Sequence, residues 1–482
     1  MTKDERQDIA ITNWKFSSKC FAIKNGYGII VCPTGFGKTR IGVKICKLYL
    51  TNKEEKNYKI VIAVPNDEIK SNWINELNSY TFKDNIEILT FNKILENNIR
   101  KDVNLLIIDE IHECYSEKKQ DIIFGKYINY THFLGLTATP KDNQKRYIEI
   151  LKYIPIIDEI TEKEAIENKW IANFIEFNLA VIMNENDKFQ YNYLTEQFQK
   201  FKSKFSDIKL ADKCLSGGFD NKGIYYSSEM WCEAIAKKNG WKSTLDLNSP
   251  DEKEINDLWN PKIIKGYASN LYDFIRKRMN FIYNNDSKLN VALEILKKFE
   301  DRKIISFSQS TDFADKLCYN INKFYNLKDI ENNLFENSVD HCIAYHSNLK
   351  TKMLPNDKGK LIKYGKTRLK NRAIENIKTG KSRIISTASA LDKGFDVSDI
   401  TVALICSRTQ SEAQKIQRGG RAKRLDNTNN IVFIINLYLE DTQDENWLRK
   451  SQENSETNVY YINSIDEINY EPKNNNKIKI SW

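Results

Sequence analysis

A short glycine-rich loop, set between an apolar run and a helical pattern, does most to limit the folds open to this 482-residue chain. The run Gly28–Cys32 reads as a buried strand, and Thr39–Leu50 carries helical periodicity. Between them stands Pro33-Thr34-Gly35-Phe36-Gly37-Lys38-Thr39. Glycines let backbone N–H groups face an anion, and the N-terminus of the following helix favours negative charge at the same place. In such a unit Lys38 is placed to reach the β- and γ-phosphates of a nucleotide, and the Thr39 hydroxyl to hold Mg²⁺. The expected phosphate cradle is therefore Thr34, Gly35, Phe36, Gly37, Lys38 and Thr39. The loop departs from the general pattern G-x-x-x-x-G-K-[ST] at one position, where Cys32 replaces the first glycine.

Apolar, β-branched runs recur at Lys59–Val64, Ile86–Phe91, Leu105–Ile108 and Phe133–Leu136, with a helical stretch at Asp67–Tyr80. Strands alternating with helices predict a doubly wound α/β lobe over residues 1–165. A second series, Lys303–Phe307, Cys342–Tyr345, Arg383–Thr387, Val402–Cys406 and Ile431–Ile435, predicts a similar lobe over 289–450. Residues 166–288 are polar, aromatic and mostly helical in pattern, with turn signals at Ser216–Gly218 and Ser249–Pro250, and read as an insertion or bridge. The Asn- and Lys-rich tail, 451–482, is assigned no function. The expected fold class is α/β, with two tandem phosphate-loop domains and a mainly helical insertion between them.

Leu105–Ile108 runs into Asp109-Glu110-Ile111-His112. A carboxylate at the C-terminal end of a parallel strand stands at the ligand edge of the sheet. Asp109 is placed to hold Mg²⁺, and Glu110 to orient or deprotonate a water. Two carboxylates after an apolar strand are otherwise a solvated strand end. The upstream loop, and Thr137-Ala138-Thr139-Pro140 after the next strand, favour the functional reading.

These three segments resemble motifs I, II and III of the superfamily 2 helicases. Ser306-Phe307-Ser308 resembles motif IV of that family. Ser386–Asp396, ending in Gly394-Phe395-Asp396, resembles motif V, and Gln417-Arg418-Gly419-Gly420-Arg421-Ala422-Lys423-Arg424 is similar to motif VI. The resemblance implies two RecA-like lobes sharing one ATP site, with ATP and Mg²⁺ as cofactors. It places Gly394 and Asp396 at the nucleotide, Gln417 near the γ-phosphate, and Arg421 and Arg424 as finger arginines. Such an arginine is worth ~10³–10⁵ in kcat in other nucleotide hydrolases. By the same resemblance His112 couples the acidic box to the second lobe, and Thr137 and Thr139 link ATP state to grip on the strand. Family members carry an adenine-reading Gln upstream of the loop. Gln7 stands at that distance, without the usual aromatic neighbour.

Val64-Pro65 with Ser71-Asn72-Trp73 resembles motif Ia of the branch that holds restriction-enzyme translocases, Swi/Snf-type remodellers and phage branch-migration helicases. Trp73 reads as packing. Pro65, Ser308, Gln309 and Thr387 match positions that hold a nucleic-acid strand in the family. Thr442–Trp447 is similar to the segment closing the second lobe in the phage and restriction-type members, which by analogy favours DNA over RNA. The stretch Lys358–Arg383 contains ten Lys or Arg and one acidic residue, Glu375, and reads as a phosphate-contacting surface or as a solvated helix face.

Composition adds little. A formal charge of +9, from 74 basic and 65 acidic residues, fits a polyanionic partner but is unremarkable at this length. Nine scattered cysteines form no C-x-x-C pair, which excludes a zinc ribbon or a redox motif and fits a reducing compartment. No apolar run approaches the ~20 residues of a membrane span. Met1–Ala10 is polar and charged, unlike a secretory signal. The expectation is a monomeric, cytoplasmic, ATP-dependent DNA helicase or translocase. Abundant Lys, Asn and Ile point to an AT-rich genome such as that of a virus or phage, and hence a host cytoplasm. The alternatives are an RNA helicase and the motor subunit of a restriction-type complex.

Overall fold

The computed structural model describes residues 1–19, 21, 23–50, 58–81, 83–114, 116–138, 145–243, 258–331, 340–355, 360–388, 400–407, 431–452 and 459–471. They form two compact units. One comprises Met1–Val181 and Lys288–Trp482, and the other Ile182–Ser287.

The first sheet has six strands in the order β3-β2-β4-β5-β1-β6. They are β1 (Tyr27–Val31), β2 (Ile60–Val64), β3 (Ile86–Thr90), β4 (Lys101–Asp109), β5 (Ile128–Thr137) and β6 (Ile156–Glu159). All pairings are parallel. Buried on both faces, β2 is apolar at every position, as a central parallel strand must be. Its helices are α1 (Lys3–Lys15), α2 (Lys38–Leu50), α3 (Asp67–Leu77), α4 (Phe91–Glu96), α5 (Glu117–Ile123), α6 (Lys145–Tyr153) and α7 (Glu162–Glu167). Because the strands run one way, their C-terminal ends share one edge. There Val31 pairs with Thr137, and Asp109 with Leu136.

From Val181 the chain passes into the second unit, built on α8 (Glu185–Lys202), α9 (Ile208–Ser216), α10 (Ser228–Asn239) and α11 (Pro261–Asn284). Two small strand pairs accompany them, β8 (Gly218–Phe219) with β9 (Tyr225–Tyr226), and β10 (Lys242–Ser243) with β11 (Leu258–Trp259). Its core joins Phe198, Phe205, Cys214, Cys232, Ile264 and Leu271.

The second sheet has seven strands in the order β13-β16-β12-β17-β18-β7-β19, again all parallel. They are β7 (Phe174–Val181), β12 (Ile304–Ser308), β13 (Cys342–His346), β16 (Ile384–Ala388), β17 (Val402–Ile405), β18 (Val432–Leu439) and β19 (Val459–Ile462). Helices α12 (Asp286–Lys298), α13 (Thr311–Glu331), α14 (Lys366–Thr379) and Gln443–Gln452 accompany it. A hairpin of β14 (Lys352–Pro355) and β15 (Leu361–Tyr364) lies between β13 and α14.

Two sequence boundaries need correction. Residues 166–288 were expected to be one insertion, yet β7 belongs to the second sheet and the separate unit starts at Ile182. Glu176 and Asn178 break the apolar run of β7 and hid it from sequence reading, although both are buried. They bond to Asn436 and Gln452, with Asn436 Nδ2 2.8 Å from both Glu176 Oε1 and Asn178 Oδ1. The tail from 451, set apart from the second lobe and assigned no function, likewise supplies β19 to its sheet, and the Tyr461 hydroxyl of β19 donates to Gln452 Oε1 at 2.8 Å. Among the described residues no helix is long and apolar enough to cross a membrane.

Candidate nucleotide site and strand-contact edge

The phosphate loop leaves the end of β1 and turns into α2. Gly37 takes φ +102°, a conformation that favours glycine, and an added Cβ would also lie 2.9 Å from Gln7 Nε2. Gln7 is 1% exposed on α1 and donates from Nε2 to the Phe36 carbonyl at 3.0 Å. Its Oε1 is buried without a hydrogen-bond partner, as is Thr34 Oγ1. Buried polar atoms of this kind ask for an explanation, and an incoming ligand is one. Lys3 Nζ donates to the Gly35 carbonyl at 2.7 Å, which ties α1 to the loop a second time.

Sequence reading missed what holds α1 in place. Arg6 makes a bidentate pair with Asp158 of β6, at 2.8 and 2.9 Å, and bonds Glu164 at 2.9 Å. Hydrogen bonding to Asp158 keeps the Arg6 guanidinium above its ordinary range despite burial. The dipeptide Arg6-Gln7 thus divides its work, the first residue anchoring the helix and the second facing the loop.

At the end of β4 the carboxylates are held individually. Asp109 Oδ2 accepts from Trp73 Nε1 at 2.8 Å, and Oδ1 accepts from the Glu110 N–H at 3.0 Å. Glu110 has φ 53° and ψ 51°, a left-handed conformation uncommon outside glycine. That turn brings Glu110 Oε1 to 2.6 Å from Lys38 Nζ. Burial pushes the Asp109 carboxyl up to about 6, with the Glu110 charge adding to the effect and Lys38 and Trp73 opposing it. Burial alone would lower Lys38, but the charges of Glu110 and Asp109 outweigh it and hold the ammonium above its usual value. His112 Nδ1 lies 2.8 Å from Thr137 Oγ1 and 3.3 Å from Glu110 Oε2, so the third and second motifs touch through one ring.

Trp73 was read as packing, and it does pack. A Cβ on Gly42 of α2 would sit 2.3 Å from its ring. The hydrogen bond to Asp109 is the part that sequence did not disclose. Pro65, the expected strand contact, is half-buried just before α3, followed by Asn66, whose side chain caps that helix through the Ile69 N–H at 2.9 Å.

In the second sheet Ser308 and Thr387 are buried rather than presented to solvent. Ser308 Oγ donates to the carbonyls of Ser310 and Thr387, at 2.8 and 3.2 Å. The Gln309 N–H donates to Ser407 Oγ at 2.6 Å. Ser308 therefore shapes the strand end. Thr387 Oγ1 is buried without a hydrogen-bond partner. Thr139, Gly394, Asp396, Gln417, Arg421 and Arg424 lie outside the described residues.

The family described as "Type III restriction enzyme, res subunit" matches residues 1–98 and 83–142, and "Helicase conserved C-terminal domain" matches 287–426. The chain is 22% identical over 446 residues to the DNA 3'-5' translocase XPB2 of Sulfurisphaera tokodaii, covering 89% of this chain and 82% of that one. It is also 22% identical over 481 residues to a Methanocaldococcus jannaschii protein named as an ATP-dependent RNA helicase, covering 88% of this chain and 57% of the relative. In fold it is similar to the ATP-dependent Type ISP restriction-modification enzyme LlaBIII bound to DNA, with a TM-score of 0.51 at 13% identity, over 95% of this chain and 31% of that one.

Proposed function

Because the chain belongs to the superfamily 2 helicases, in the branch of the restriction-type and XPB-like motors, we propose that it couples ATP hydrolysis to movement along DNA. The observation that carries the nucleotide half of this reading is the cluster of Lys38, Asp109, Glu110 and Trp73 at one sheet edge. Similarity to a DNA translocase over most of both chains favours DNA, against one relative named for RNA.

The donors at this edge fit Mg²⁺, since Asp109 and Thr39 offer hard oxygen atoms. Bound there, Mg²⁺ would be held by Asp109 and Thr39 and would offset negative charge on the transferring phosphoryl group. The arriving triphosphate takes over Lys38, which breaks its 2.6 Å pair with Glu110. Glu110, still beside His112, is then free to orient a water and accept its proton. Gln7, with its vacant Oε1, is the group we assign to the adenine edge. Gly394 and Asp396 are assigned to the nucleotide, and Arg421, Arg424 and Gln417 to the γ-phosphate. His112, Thr137 and Thr139 are assigned to relaying its presence.

Two variants test this. Lys38→Ala is expected to weaken ATP binding and abolish turnover. Glu110→Gln is expected to retain ATP binding and to slow hydrolysis by ~10²–10⁴-fold. Full ATPase activity in either variant refutes the site. Stimulation of the parent by single-stranded, duplex, forked and four-way DNA, with RNA controls, tests the substrate. Stimulation by RNA alone refutes the DNA assignment.

A further inference from the structure

None of the motif segments includes the β14–β15 hairpin or the start of α14. Their position is informative. β13 ends at His346, level with Ala388 of β16, and Ala388 is level with Ser308 of β12. The hairpin therefore leaves the second sheet at the edge where Ser308 and Thr387 stand, and α14 begins near that edge before running back to feed β16.

Residues 347–355 and 360–374 contain eight Lys or Arg and no acidic residue. Leu369, Ala373 and Ile377 form the buried stripe of α14, leaving Lys366 and Arg368 exposed. Elsewhere the fold pairs lysines at its surface with carboxylates, as in Lys44–Asp8, Lys101–Glu87 and Lys126–Asp121. Among the described residues Lys352, Lys363, Lys366, Arg368 and Lys370 have no carboxylate partner. Two are steadied by aromatic rings instead, Arg368 at 4.5 Å from Tyr364 and Lys370 at 4.8 Å from Tyr345. Guanidinium and ammonium groups held this way keep their positive charge uncompensated.

The hairpin has two faces. Tyr364 is buried on one, while the other presents Lys363 opposite Met353, with Leu361 beside them, at 58% and 60% exposure for Met353 and Leu361. A lone two-stranded hairpin is marginal in water, so an exposed face of this kind favours a partner. Lys363 is the cation of this exposed face, beside the apolar Met353 and Leu361, while Lys352 stands across from Tyr364, next to which Arg368 lies; exposed cations beside apolar side chains complement phosphates and sugars.

We propose that this hairpin and the first turn of α14 form a basic arm that grips the sugar–phosphate backbone of the nucleic acid. The inference rests on the reading of the chain as a nucleic-acid motor. Neutralising a phosphate contact releases fewer counterions on binding and flattens the salt dependence of affinity.

The test is a full-length variant carrying Lys352→Gln, Lys363→Gln, Lys366→Gln and Arg368→Gln. Its affinity for fluorescein-labelled single-stranded and duplex DNA, and for RNA, is measured across a KCl titration. The slope of log K against log salt should become shallower by about 0.7 per lost contact on single strands and about 0.9 on duplex, with affinity falling about tenfold or more. Substituting Arg for the three lysines should preserve the parental slope, which a purely structural role for these side chains does not predict. If the fourfold variant melts early, single substitutions such as Lys363→Gln still read about 0.7 of slope each. A parent that binds and is stimulated, beside a folded Gln variant of equal slope and affinity, overturns the arm alone. A parent indifferent to every nucleic acid overturns the motor reading and the arm with it.

Discussion

Lys38, Thr39, Asp109 and Glu110 were legible as residues because each lies in a short segment whose spacing reports its chemistry. Trp73 was not, since its role depends on a bond between helices and strands 36 positions apart. Asp109 is the most desolvated carboxylate of the site, and an indole N–H on one oxygen fixes the direction of the other lone pairs. A hydrogen bond to a charged group is worth ~1.5–3 kcal/mol. Trp73→Phe keeps most of the packing over Gly42 and removes the donor. We expect this variant to need about tenfold more Mg²⁺ for half-maximal binding of a fluorescent ATP analogue. An unchanged Mg²⁺ midpoint would show that the indole only fills space. Gln7 shows the opposite balance of legibility. Its distance from the loop was readable, whereas its bond to the Phe36 carbonyl and the Arg6 anchor beside it were not, because Asp158 and Glu164 are more than 150 positions away.

Strands with continuous apolar runs, such as β2, β12, β13, β16 and β17, were found in the sequence to within a residue, whereas only the apolar cores of β4 and β5 were, their polar N-terminal halves at Lys101–Asn104 and Asn129–His132 being missed. Those that carry buried polar groups were lost, and β7 is the clearest case. Its Glu176 and Asn178 make sense only beside Asn436 and Gln452, which come about 260 positions later. The start of α12 carries a similar hidden pair. Lys288 Nζ lies 2.5 Å from Asp444 Oδ2, and the side chains are 0% and 1% exposed. Removing one partner of a buried pair strands the other charge, at a cost of ~3–5 kcal/mol. Lys288→Met should therefore lower the urea midpoint sharply. Adding Asp444→Asn, which retains an acceptor for the Leu439 N–H, should recover a large part of the loss. A single Lys288→Met variant as stable as the parent would mean that the pair contributes nothing net.

At the scale of the whole chain, the recurrence of strands announced two α/β lobes, and both sheets are present. The 182–287 unit was visible only as a change of texture, for its aromatic core is assembled from four helices whose individual patterns are weak. Its core is self-contained and its size is in the range where single domains fold alone. The excised fragment 182–287 is expected to give a helical circular dichroism spectrum and a cooperative thermal transition. A gradual, sloping melt would show that it depends on the rest of the chain.

The strand order of the second sheet also sets a timetable for synthesis. β7 lies between β18 and β19, both of which leave the ribosome far later. At ~5–20 residues per second, the roughly 250 residues separating Val181 from Val432 mean a wait of about 12–50 s. During that wait the apolar Phe174–Val181 has neither neighbour. A nascent chain of this protein therefore carries an unpaired, aggregation-prone edge while those residues are made, and the Glu176 and Asn178 side chains that hide β7 from sequence reading also keep that waiting strand less greasy than its fellows.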